Sequence, residues 1–187
     1  MFSFNIKELL EVNLKELLGK VKLENQVEEV DYNTYCILFV MQYYSKNSKH
    51  DFYLNNLLNQ SLNCNYFEEV HPSFVAVIQQ LSEDELTLLE IIDGIELEYV
   101  GIYDYDGEKF HNYNRIVNPR PEDKLRNPSK FNLYCDNLIR LDLITWPMYK
   151  QEPIIEGNNQ TGLTQYSKIK MTRFGQLFMN TISKKII

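Results

Sequence analysis

Alanine occurs once in the 187 residues, at Ala76, so helices here must be built from Leu, Ile, Glu, Lys and Asn. Packing rather than propensity has to hold them. No apolar run is longer than the seven residues from Tyr35 to Met41. A bilayer needs about 20, so no membrane-spanning helix is expected. The segment 1–20 lacks both the basic start and the compact apolar stretch of a secretory signal. Cysteine is scarce: Cys36, Cys64 and Cys135 are far apart and odd in number. That argues against a disulfide framework and for a reducing cytoplasm.

Charge of one sign is missing in two places. Between Asp51 and Glu108 there are 13 acids and no Lys or Arg, and after Glu156 there is no acid at all. Residues 1–50 sum to −1, residues 51–108 to −13 and residues 109–187 to +7, giving the net −7 of the chain. A uniformly acidic protein is thereby excluded, and a basic surface on an acidic chain remains open. The chain is instead rich in Asn, with 19, and Tyr, with 13, which suggests a bacterial or phage genome of biased composition.

Apolar spacing predicts helices over Ile6 to Lys20, Asp31 to Lys46 and Asp51 to Asn63. In the third, Asp51 is the expected cap, with Phe52, Leu54, Leu57, Leu58 and Leu62 inward. A fourth helix begins at His71-Pro72-Ser73-Phe74, where proline suits the first turn. Ser82-Glu83-Asp84-Glu85 has the form of a capping box opening a fifth helix, with Gly94 as its stop.

The pattern then changes. Glu96 to Tyr103 and Lys109 to Ile116 flank Asp106-Gly107, the signal of a tight hairpin. Ser129 to Leu141 reads as a helix and Leu143 to Tyr149 as a strand. A loop rich in Asn, Gly and Gln follows, then a strand from Tyr166 to Met171, then a helix capped by Thr172. Helix, strand, loop, strand, helix is the order of a winged-helix module. The expected class is α+β and mostly helical. An N-terminal helical bundle (1–94) precedes a hairpin and winged-helix-like region with a small antiparallel sheet (95–187), the two expected to form one compact unit.

Three motifs stand in order: HPSFVAVIQQLSEDELTLLEII at 71–92, NLIRLDLITWP at 137–147 and KIKMTRFGQLFMNTI at 168–182. Together they resemble the Abi-alpha family, a bacterial domain named for abortive infection. Leu81, Ser82, Asp84 and Glu85 match its second element, and Met171, Thr172, Phe174 and Gly175 its last. Asp142 stands where the family commonly has glycine. The resemblance covers roughly residues 51–187 and implies a link to phage defence. It carries over no catalytic residue.

Common catalytic constellations are missing. There is no G-x-S-x-G elbow, phosphate-binding glycine loop or H-E-x-x-H helix. The first arginine is Arg115 and the last histidine His111, so the arginine-then-histidine order of many abortive-infection RNases is excluded. Glu122-x-Lys124 downstream of Asp104 and Asp106 nominally resembles a metal-nuclease set, but it lies between prolines and reads as a solvated loop. No cysteine pair has zinc-ligand spacing. Cys36 and Cys135 read as buried thiols and His71 as a helix-start residue. Neither catalytic residue, metal nor cofactor is expected.

The positive C-terminal part supplies the candidate contacts: Arg140, Lys168, Lys170, Arg173, Lys184 and Lys185. On a winged helix, wing cations contact phosphates while the preceding helix reads the groove. That helix carries Asp136 and Asp142, and Arg140 is the one guanidinium along its body, which disfavours sequence reading. The sequence reading is therefore a cytoplasmic phage-defence protein without catalysis, acting through an unknown protein partner or self-association. Nucleic-acid binding by the basic C-terminal surface is the alternative.

Overall fold

The computed structural model describes residues 36, 37, 40, 41, 48–61, 70, 71, 73–117 and 120–183, with 112–117 described by their backbone alone. The helix expected at Ile6 to Lys20, most of that at Asp31 to Lys46, and Leu62, Cys64, Pro72, Lys184 and Lys185 lie outside these residues. The chain divides into two compact units, one drawn from residues up to Leu81 and from Asn180 onward, the other Ser82–Met179.

The first unit contains α1 (Lys49–Ser61) and α2 (Ser73–Gln80). Ser48, not Asp51, caps α1: its hydroxyl accepts from the Asp51 N–H at 3.1 Å. Asp51 stands instead in the first turn, where a negative charge suits the helix dipole. Tyr53, Leu54, Leu57 and Leu58 are buried, whereas Phe52 is exposed, because it lies about 200° around the helix from Leu54. The amides of Asn56 and Gln60 are buried and donate to the carbonyls of Ile182 (2.7 Å) and Thr181. Those carbonyls belong to a helix C-terminus, where no intrahelical donor remains for them. At α2, the His71 ring accepts from the Ser73 N–H at 3.2 Å, so this histidine is a helix-start residue. Phe74, Val75, Val77 and Ile78 are buried.

The second unit opens with α3 (Glu83–Ile92). Its capping box is complete: the Glu85 N–H donates to the Ser82 hydroxyl and the Ser82 N–H to the Glu85 carboxylate. Gly94, at φ +78, ends it in the left-handed conformation that glycine adopts without strain. β1 (Leu97–Tyr105) and β2 (Phe110–Val117) pair antiparallel. Their connection spans residues 106–109, longer than the tight turn expected, with positive φ at Gly107 and not at Asp106. The Asp106 carboxylate closes it by accepting from the N–H groups of Glu108 and Lys109.

Two 3-10 turns, Pro121–Lys124 and Pro128–Lys130, lead into α4 (Phe131–Arg140), followed by β3 (Ile144–Thr145), β4 (Met148–Glu156), β5 (Asn159–Met171) and α5 (Arg173–Ser183). The expected loop before Tyr166 is therefore a long hairpin. The Asn-, Gly- and Gln-rich composition belongs to its turn and the start of β5, with Gly157 at φ +64 making the reversal. β5 is the spine of the sheet, pairing with β1 along one edge and with β3 and β4 along the other. The outcome is an α+β fold with a five-stranded antiparallel sheet, larger than the small sheet expected.

One face of this sheet is packed. Leu97, Tyr99 and Ile169 are buried, and the Tyr99 ring lies 5.9 Å from Phe131 and 5.0 Å from Trp146, centroid to centroid. The Trp146 indole N–H donates to the Ser167 hydroxyl at 2.9 Å. Each large side chain buried here contributes about 1.5–3 kcal/mol of transfer free energy, which anchors α4 to the sheet.

Candidate functional site

Strand alternation puts Glu96, Glu98, Lys168, Tyr166, Lys150 and Glu152 on the face opposite this core. Lys168 sits in register with Glu98. Its ammonium is 3.1 Å from the Glu98 carboxylate and 3.2 Å from that of Glu96, and it lies 5.5 Å from the centre of the Tyr149 ring. Hydrogen bonds to Glu98 and then Glu96 raise its pKa. Lys150 repeats the arrangement: it pairs with Glu152 at 2.6 Å and lies 5.2 Å from the centre of the Tyr166 ring, whose hydroxyl donates to Glu152. Two cations and three carboxylates thus interlock, leaving no surplus of positive charge on this face.

The other sequence candidates are dispersed. Lys170 is exposed on β5, and Arg173 is exposed in the first turn of α5. Neither makes an ion pair with a described residue. Arg140 is exposed at the end of α4 and donates to the Asn137 side-chain oxygen at 2.7 and 3.2 Å. Lys184 and Lys185 lie outside the described residues. The structure therefore gathers Lys168 with acids rather than with the remaining bases. A second bridge of the same kind, Arg126 to Glu83 at 2.6 Å, also joins the basic part of the chain to the acidic part.

α4 presents Leu133, 62% exposed, and Ile139, 41% exposed, beside Asn132, Asp136 and Arg140. The β4–β5 turn offers Glu156, Gly157, Asn158, Asn159 and Gln160, and no Lys or Arg occurs between Lys150 and Lys168. A helix and hairpin equipped in this way offer little for a phosphate backbone, which is met mainly by cations and N–H donors.

The motif residues hold the unit together. The buried Asp84 carboxylate accepts from the backbone N–H groups of Arg126 (2.8 Å) and Asn127 (2.9 Å) and from the Tyr134 hydroxyl (2.9 Å). Burial raises its pKa, but these hydrogen bonds outweigh that and leave it below the ordinary value. Tyr134 moves the other way: burial, then its bond to Asp84, raises its pKa. The neighbouring Glu85, besides its role in the cap, accepts from the Asn137 amide at 2.7 Å. At the end of the sheet, the Thr172 hydroxyl donates to the Asp142 carbonyl and accepts from the Gly175 N–H at 2.9 Å.

A sequence model of the family described as abortive infection alpha matches residues 10–182. The chain belongs to the abortive infection alpha family. No curated protein and no solved structure is significantly similar to it. In this Abi-alpha chain the family-like motifs are clasps between elements. Asp142 takes a positive φ of +56, the geometry for which glycine is the natural residue. Gly175 lies so close to the Leu143 carbonyl that any Cβ would enter it. Glu96 and Glu98 are the residues that sequence reasoning missed. Their spacing of two signals a shared strand face, but only the register reveals Lys168 between them.

Proposed function

We propose that this Abi-alpha chain is a bacterial phage-defence protein of the abortive-infection type, working in the cytoplasm through protein–protein contacts and without catalysis. The observation that carries this reading is the engagement of Lys168 by Glu96 and Glu98. The strongest basic candidate is spent on the chain's own acids, while apolar side chains stand exposed on α4. In this reading α4, β3, the β4–β5 hairpin and α5 form a winged-helix-like module used for protein recognition. No described helix is long and apolar enough to cross a membrane.

The test compares phage plating on bacteria expressing wild-type and variant chains. Protection is lost on substituting Leu133→Asp with Ile139→Asp and retained on substituting Lys170→Gln with Arg173→Gln. The opposite pattern, or cleavage of RNA, DNA or a nucleotide by the purified protein that one polar substitution abolishes, overturns the reading. The second reading is a nucleic-acid binder using the basic surface. The exposed Lys170 and Arg173, with no described ion-pair partner, favour it.

A further inference from the structure

We draw no further inference here: the strongest candidate, the half-covered sheet face where Tyr103 and Leu163 stand in register and Ile155 is exposed, carries nothing because nothing in the structure shows what covers it.

Discussion

Replacing Asp84 with alanine deletes an acceptor that three donors share: the N–H groups of Arg126 and Asn127 and the Tyr134 hydroxyl. A hydrogen bond to a charged group contributes about 1.5–3 kcal/mol net, and a buried donor left without a partner adds its desolvation penalty. Arg126 and Asn127 are exposed residues whose N–H groups can partly rehydrate, so the sum is discounted to about 3–5 kcal/mol for Asp84→Ala. Asp84→Asn retains one acceptor oxygen but turns an amide N–H₂ toward a donor, and costs about 1.5–3 kcal/mol. Against a typical total of roughly 5–15 kcal/mol, the alanine variant is severely weakened.

The chain's single tryptophan, Trp146, packs in this unit against Tyr99 and makes its fluorescence the natural reporter in urea unfolding. Because the folded-state pKa of Asp84 lies below its ordinary 3.8, its contribution is present above that value. It is lost as pH falls through the lower folded-state value. Wild-type stability should therefore fall with acid below about pH 4 more steeply than that of Asp84→Asn. An alanine variant within about 1 kcal/mol of wild type at pH 7, with an unchanged denaturant slope, would refute the reasoning.

Three further outcomes are expected. Gly175→Ala places a Cβ 2.8 Å from the Leu143 carbonyl carbon and should cost about 3 kcal/mol or more in the same unfolding experiment. Asp142→Gly relieves a positive φ and should stabilise by about 0.5–1 kcal/mol, raising the melting temperature. Lys168→Gln breaks only exposed ion pairs, so its melting temperature should stay within error of wild type and become less salt-dependent than it was.

Local signals were the ones legible in the sequence. Ser82 with Glu85 and Thr172 with Gly175 are separated by three residues, and each pair forms the cap its spacing implies. Gly94 likewise ends its helix within the span where glycine is informative. Features set by distant partners were not legible. Ser48 rather than Asp51 caps α1, because both are capping residue types and only the backbone path selects one. The hairpin from Met148 to Met171 was hidden because its Asn, Gly and Gln residues suit a turn and still tolerate extended backbone when paired with β1 on one side.

The candidate site followed the same rule. The acidic and basic blocks were plain in the sequence, but their meeting depends on the register that sets Lys168 beside Glu98. Asp84 looked like one acid in the first turn of a helix. Its role came from a loop and a helix more than 40 residues away in sequence.

With Lys168 engaged by Glu96 and Glu98, the basic C-terminal surface is expected to bind no nucleic acid. Fluorescence anisotropy of labelled duplex DNA and single-stranded RNA, titrated with the protein at low and at moderate salt, tests it most directly. No saturable binding is expected below about 100 μM at low salt, and no difference between wild type and a Lys170→Glu, Arg173→Glu variant. Micromolar binding that falls steeply with salt and is lost in that variant would contradict it.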